Sequence, residues 1–198
     1  GSIKMVLNML MLNLPVEKIG GEMYELLTMA NRTTEDVFSL LDNLLKWTKS
    51  QIGNLNVVYQ DVDAVEVVDS VIDVFNMVAG LKKITIREEK PEKLPVCTDI
   101  DMLKTIIRNL LSNAIKFSNE NSEVLVKMEE QGDTVVVSVK DSGCGIDEEG
   151  QQKLLHTDTH FSTFGTNNEE GSGLGLLLCQ DFAVKSGGKL WFTSKKGE

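Results

Sequence analysis

The chain has 198 residues, enough for one or two domains, and 41% of them are hydrophobic, which is enough for a core. Its formal net charge of −10 argues against binding to nucleic acid or to an anionic membrane surface. No apolar stretch reaches membrane-spanning length, and the three cysteines lack metal-ligand spacing. We therefore expect reduced thiols, a cytoplasmic location and no direct membrane contact.

The first 52 residues are predicted to form a helical hairpin. Residues 3–14 are an apolar helical run, and residues 15–21 supply proline and glycine for the turn. Residues 22–51 contain neither, and a seam repeats there at spacings of three and four, formed by Met23, Leu26, Ala30, Thr33, Val37, Leu40, Leu44 and Trp47. Two such helices cannot bury their seam alone, so we predict a homodimeric four-helix bundle through residues 3–52.

The remaining residues, 53–198, are predicted to form an α/β domain, with Gly53-Asn54 as the hinge, so the whole chain belongs to the α+β class. A mixed sheet covered on one face by helices follows from the order of elements. Strands are predicted at residues 55–59, 84–88, 94–97, 124–129, 134–140 and 189–193, and helices at 65–79, 100–117 and 174–185. Thr98 or Asp99 can cap the helix at 100–117, and Asp101 adds charge to its first turn.

The helix at 100–117 carries the first of three informative clusters. Asn109, Asn113 and Lys116 share one stripe of this helix. A neighbouring apolar stripe would pack onto the sheet; it consists of Leu103, Ile106, Ile107, Leu110, Leu111, Ala114 and Phe117. An amide oxygen suits Mg²⁺ that shares a substrate's phosphates, and an ammonium supplies charge for those phosphates. Two exposed amides and a solvated lysine would give the same pattern.

The second cluster follows the strand at 134–140 and runs from Asp141 through Gly143 and Gly145 to Ile146. Glycine permits close approach of the backbone to a ligand, and an aspartate at a strand end can accept a hydrogen bond from an exocyclic amine such as that of adenine. An ordinary Asp-Ser-Gly turn is the alternative.

The third cluster lies at the start of the helix at 174–185 and consists of Gly171, Ser172, Gly173, Leu174 and Gly175. Backbone N–H groups at a helix start favour phosphate. The cluster is neither a Walker loop nor a dinucleotide fingerprint, because the Lys-Ser/Thr pair and the preceding strand are absent.

In this order and at these separations, the clusters resemble the N box and the two glycine boxes of the histidine-kinase ATP-binding domain, a member of the GHKL superfamily with gyrase, MutL and heat-shock chaperone ATPases. The resemblance covers residues 99–193 and implies an α/β sandwich of the Bergerat type that binds ATP with Mg²⁺. It implies that Asn113 is the magnesium ligand, that Asn109 and Lys116 contact phosphates, and that Asp141 reads adenine. The other nucleotide-binding residues it implies are Gly143, Gly145, Ile146, Gly171, Ser172, Gly173, Leu174 and Gly175.

The same resemblance implies a mobile ATP lid at residues 153–168, although Leu155-His156 stands where the family usually has a phenylalanine. Residues 41–51 resemble the end of the second dimerisation helix. A sensor histidine kinase of this kind would transfer the γ-phosphoryl group of ATP to a histidine on the dimerisation helix, and a response-regulator receiver domain would be its partner.

No phosphoacceptor is found in this sequence. His156 and His160 lie in the predicted lid without the acidic residue and proline that follow the family's acceptor. We therefore assign no catalytic residue and expect no autophosphorylation by this chain alone. The family also continues beyond Glu198 into a last strand.

Two other functions fit parts of the pattern. A gyrase- or MutL-like ATPase would use its nucleotide to drive a conformational cycle, but those relatives have a glutamate where Asn109 stands. A non-catalytic dimeric scaffold is less favoured because Asn113, Asp141 and all five glycines are intact. Among the thiols, Cys97 and Cys179 are expected to be buried and Cys144 to lie beside the nucleotide.

Overall fold

The computed structural model describes residues 56–155, 166 and 174–197, together with the isolated positions 27, 34, 41, 44, 45 and 48. The chain divides into two compact units, Gly1–Thr48 and Lys49–Glu198. The predicted bundle and the hinge at Gly53-Asn54 fall outside the described residues, so the division into domains at residue 52 stays a prediction. No helix in the described part of the chain is both long enough and apolar enough to cross a membrane.

The described part of the second unit contains five strands and four helices. In chain order they are β1 (Gln60–Asp63), α1 (Ala64–Leu81), β2 (Thr85–Glu89), β3 (Pro95–Thr98), α2 (Ile100–Phe117), β4 (Glu123–Gln131), β5 (Thr134–Lys140), α3 (Glu148–Leu155) and α4 (Leu174–Lys185). Strand β4 lies at the centre of a mixed sheet, parallel to β2 and antiparallel to β5, while β1 and β3 form a separate antiparallel pair. The predicted mixed α/β fold is confirmed.

The main core lies between the three-stranded sheet and helices α1 and α2. Every second residue in the first six positions of β4 is buried, because side chains alternate between the two faces of a strand. Val124, Val126 and Met128 form that buried row. The helices cover it with apolar side chains that are at most 2% exposed, namely Val68, Val71, Ile72, Ile107 and Leu111. Helix α2 is thereby fixed on the sheet by burial of its apolar stripe.

A second, smaller core joins α2 to α4. Met102 of α2 packs with Leu178 and Phe182 of α4, and Ile106 packs against this cluster. We expected the whole apolar stripe of α2 to face the sheet, and this was wrong for Ile106. The stripe is wide enough to contact two neighbours, so α2 lies between the sheet and the last helix.

Two predicted strands are not observed. Residues 56–59 are irregular, and the strand begins instead at Gln60, paired with Thr98 of β3. The Val58 amide donates to the Asp99 carboxylate and the Tyr59 hydroxyl donates to the Lys185 carbonyl, so these residues are held by contacts other than a strand ladder.

The strand predicted at 189–193 is likewise absent, since this segment has no strand partner among the described residues. Its aromatic side chains are exposed: Trp191 is 56% exposed, and the centre of its ring lies 5.2 Å from the Lys189 ammonium. The prediction was wrong because β propensity counts only where a neighbouring strand accepts the backbone hydrogen bonds.

Asp99 caps α2, which decides between the two capping residues proposed from sequence. One carboxylate oxygen accepts hydrogen bonds of 3.0 Å from the amides of Asp101 and Met102. The other accepts a 2.8 Å hydrogen bond from the Val58 amide, 41 residues away in sequence. Asp99 therefore ties the segment before β1 to the start of the helix that carries Asn109 and Asn113.

Replacing Asp99 by alanine should lower the free energy of unfolding by about 2–4 kcal/mol, because three backbone amides lose a charged acceptor. Urea unfolding measures the loss. Asp101→Ala is the matched control, since Asp101 is exposed and acts through the helix dipole, worth about 0.3–1 kcal/mol. Equal losses in the two variants would contradict the role given to Asp99.

Candidate nucleotide-binding site

Asn109, Asn113 and Lys116 lie on α2 and are all half-buried. The Asn109 amide nitrogen donates to the Thr105 carbonyl at 2.9 Å, which fixes the orientation of its oxygen. In the described part of the chain, the Asn113 amide makes no hydrogen bond, so its oxygen is available to a ligand. The Lys116 ammonium lies 4.9 Å from the centre of the Phe117 ring.

Asp141 follows β5 directly, as predicted. One carboxylate oxygen accepts a 3.0 Å hydrogen bond from the Gly143 amide, so the Asp-Ser-Gly turn proposed as an alternative does form. The turn uses Oδ1 alone, and Oδ2 accepts no hydrogen bond from the described residues. A half-buried carboxylate with one oxygen held and the other available can still bind a ligand amine.

Gly143 brings the second cluster against the end of α2. It forms an isolated antiparallel bridge with Ser118, the residue after the helix. A Cβ atom at Gly143 would clash with the Phe117 carbonyl oxygen. Glycine is therefore required here for close approach of two backbones.

Gly175 brings the third cluster against the first. It is the second residue of α4, and a Cβ atom there would lie 2.7 Å from the Asn109 amide oxygen. Leu174, the first residue of α4, is half-buried. Gly171, Ser172 and Gly173 fall outside the described residues, so the full loop at this helix start stays a prediction.

Gly145 and Ile146 contact the C-terminal segment. Gly145 has φ +62°, and a Cβ atom on it would clash with the Lys195 carbonyl. The Ile146 amide donates to the Ser194 hydroxyl at 2.9 Å, and the Gly197 amide donates to the Cys144 carbonyl at 2.9 Å. These contacts give Gly145 a packing role that the sequence did not reveal.

The site contains two serines that sequence reasoning missed. Ser194 accepts from the Ile146 amide and its carbonyl accepts from the Gln151 side chain at 3.0 Å. Ser118 is fully buried between α2 and Gly143, and its hydroxyl has no hydrogen-bond partner among the residues that the structure describes. Neither serine belongs to a recognisable motif, because each acts through residues distant in sequence.

The three thiols differ in exposure. Cys144, between the two glycines, is exposed, and Cys179 is buried as predicted. Burial raises the pKa of Cys179 to about 12. The prediction that Cys97 is buried was wrong: its side chain points to the exposed face of β3. Partial desolvation and the neighbouring Asp61 carboxylate raise the pKa of Cys97.

Comparison with known proteins identifies the class to which this site belongs. Residues 98–198 match the family described as histidine kinase-, DNA gyrase B- and HSP90-like ATPase. The chain belongs to this ATPase family. The adaptive-response sensory kinase SasA of Rippkaea orientalis is 30% identical over 157 residues, which cover 78% of this chain and 40% of SasA. The chain thus spans less than half the length of this curated relative.

Solved structures agree with this assignment. The nucleotide-free catalytic domain of histidine kinase ThkA is 29% identical, with a TM-score of 0.61, covering 71% of this chain and 90% of that domain. Full-length ShkA in complex with AMPPNP has the same fold, with 23% identity, a TM-score of 0.65, and coverage of 94% and 38%. ThkA in complex with the response regulator protein TrrA also has this fold, with 22% identity, a TM-score of 0.67, and coverage of 96% of this chain and 52% of that chain. The resemblance to sensor histidine kinases is confirmed.

Gly143→Ala should lower the free energy of unfolding by about 1–3 kcal/mol, because the added methyl group forces Phe117 and Gly143 apart. Gly80→Ala in α1 is the control. Nothing lies within 4 Å of a Cβ atom at Gly80, so this variant should be stabilised by about 0.5–1 kcal/mol. A Gly143→Ala protein as stable as the wild type would show that the two backbones do not need this contact.

Alkylation at pH 8 should modify Cys144 first, Cys97 more slowly and Cys179 last. A pKa of about 12 leaves roughly one Cys179 thiolate in 10⁴ at this pH, and burial excludes the reagent. The pKa of Cys97 is raised, so a further increase in pH should speed its alkylation, because the thiolate is the nucleophile. Peptide mass spectrometry gives the order, and early modification of Cys179 would contradict the packing of α4 on α2.

Proposed function

We propose that the chain is the ATP-binding core of a two-component sensor histidine kinase, which transfers the γ-phosphoryl group of ATP to a histidine on the dimerisation helix. The observation that supports this proposal is that the described residues of the three clusters meet around one helix. Asn109 contacts Gly175, and the end of α2 contacts Gly143. Residues 66 positions apart in sequence thus converge on the helix that presents Asn113.

Asn113 would hold Mg²⁺ through its amide oxygen. Mg²⁺ usually keeps several waters, takes one or two protein oxygens and shares the remaining positions with substrate phosphates. The half-buried Asn113 amide, which makes no hydrogen bond within the described residues, suits that role. When bound, Mg²⁺ would neutralise part of the negative charge of the nucleotide's phosphates.

Lys116 and Asp141 would orient the nucleotide from opposite ends. Lys116 follows Asn113 by three residues on α2, so its ammonium can reach phosphates on the same side of the helix. Asp141 would accept a hydrogen bond from the adenine amine through Oδ2, while Gly143 holds Oδ1. The protein's contribution to phosphoryl transfer would be positioning and neutralisation of charge.

The contacts of Asn109 disfavour the gyrase-like alternative. Hydrolysis in that class needs a general base to activate water, and an amide cannot accept the proton. Here the Asn109 nitrogen donates to Thr105, and its oxygen contacts the start of α4. This residue would instead join α4 to α2 and contact phosphate.

The proposed partners are a second copy of the chain, bound through residues 3–52, and a response-regulator receiver domain. ThkA supports the second proposal, because one of its structures is a complex with the response regulator TrrA. The seam of apolar residues in positions 23–47 supports the first.

Asn113→Ala should weaken ADP binding in the presence of Mg²⁺, and Asp141→Asn should weaken binding with or without Mg²⁺. Each loss should be about 1–3 kcal/mol, since a ligand group loses its partner. Calorimetry with and without Mg²⁺ separates the two effects.

The controls are Asn119→Ala and Asp133→Asn, the same substitutions at exposed positions outside the site. They should bind ADP as the wild type does. Unchanged affinity in both Asn113→Ala and Asp141→Asn would refute the proposed site, and a wild-type protein that does not bind ADP would refute the proposed function.

A further inference from the structure

Lys82 is a buried cation that the nucleotide-binding motifs do not include. It follows α1 directly and is only 7% exposed, although lysine is rarely buried unless its ammonium is paired. Its ammonium donates to the carbonyls of Ile115 at 2.9 Å and Lys116 at 2.8 Å, and to the Thr166 hydroxyl at 2.6 Å. The side chain therefore reaches from the end of α1 to the end of α2.

The carbonyls that Lys82 contacts are in the last turn of α2. Carbonyls at a helix C-terminus lack partners within the helix and carry the negative end of its dipole. An ammonium satisfies them and gains favourable electrostatics, which offsets the cost of removing the charge from water. Lys82 thus holds the helix end that carries Lys116.

Thr166 is held at the same helix end by its own hydrogen bonds. Its amide donates to the Lys116 carbonyl at 3.2 Å. Its hydroxyl accepts from Lys82 and lies within donating distance of the Ser118 carbonyl at 2.8 Å and the Lys116 carbonyl at 3.1 Å. Thr166 belongs to the stretch between α3 and α4, inside the lid predicted from sequence.

We propose that Lys82 is a positioning residue of the nucleotide site, acting by fastening Thr166 to the C-terminal end of α2. This inference rests on the proposed function, because it assigns Lys82 a part in ATP binding. The Lys82 ammonium holds both the Lys116 carbonyl and the Thr166 hydroxyl. The side chain of Lys116 is the one assigned to phosphate. Ser118, which also accepts from Thr166, is bridged to Gly143 beside Asp141. Both ends of the nucleotide would depend on this junction.

The test is a double-mutant cycle on ADP affinity, measured by calorimetry with Mg²⁺. Thr166→Val removes the hydroxyl and keeps the side-chain shape, and Lys82→Met removes the ammonium and keeps the stem. Each should weaken ADP binding about threefold to tenfold, as expected for loss of a hydrogen-bonded group. The double variant should bind about as weakly as the worse single variant, because the pair acts as a unit.

Two further variants separate positioning from general stability. Thr166→Ser keeps the hydroxyl and should bind ADP within about twofold of the wild type. Lys83→Met is the matched control, since the neighbouring Lys83 is 67% exposed and pairs only with the exposed Glu120 among the described residues. It should leave ADP affinity unchanged.

The outcomes are distinct. Wild-type affinity in Thr166→Val overturns the proposed role of Lys82 and leaves the ATP-binding function standing. Independent, multiplicative losses in the two variants also overturn it. If Lys82→Met does not fold, the comparison of Thr166→Val with Thr166→Ser still decides, because Thr166 is exposed and its loss should leave the core intact. Absence of ADP binding by the wild type would overturn the proposed function and this inference with it.

Discussion

Helix α2 is held at each end by a buried charge, and the arrangement of the site depends on this. The Asp99 carboxylate satisfies the amides at its start, and the Lys82 ammonium satisfies carbonyls at its end. Both charges interact favourably with the helix dipole. The Asp99 carboxylate lies at its positive N-terminal end, and the Lys82 ammonium lies at its negative C-terminal end. Each charge also contacts a distant segment, Asp99 through Val58 and Lys82 through Thr166.

Two glycines pack directly against the fixed helix α2, because they have no side chain that would clash with it. Gly143 lies against Phe117, and Gly175 lies against Asn109, at separations that leave no room for a Cβ atom. Such contacts make the positions of Gly143 and Gly175 sensitive to small shifts of the helix, because close-packed interiors transmit strain. In this chain the candidate site is thus held together by close contacts of Gly143 and Gly175 with a single helix.

Local patterns predicted the elements of this site well. The bounds of α2 and α4 agree with prediction, because periodicity, the acidic cap and the preceding glycines are all local signals. The β4 and β5 hairpin was also predicted, though β4 is longer than expected. What could not be predicted depends on contacts between distant segments. Strand β1 is chosen by its pairing with β3, and residues 189–193 lack a strand partner within the described chain.

The candidate site shows the same difference between local sequence signals and contacts between distant segments. Spacing and order predicted Asn113 and Asp141 as candidate site residues, but they did not point to Lys82, because a lysine at the end of an amphipathic helix is usually solvated. Its burial is visible only when Thr166 is placed beside the end of α2. Cys97 was predicted to be buried and is exposed, because the four-residue strand β3 does not bury every apolar residue.

Nucleotide binding around α2 is tested most directly by a map of amide chemical shifts in the isotopically labelled protein, titrated with ADP and Mg²⁺. We expect shifts concentrated at residues 109–118, at residues 141–146 and at the start of α4, with smaller changes near Lys82 and Thr166. The exposed residues 131–133, at the turn between β4 and β5, should serve as internal controls and remain unchanged. Shifts confined to other surfaces, or no saturable shift at all, would contradict the claim that nucleotide binds around α2.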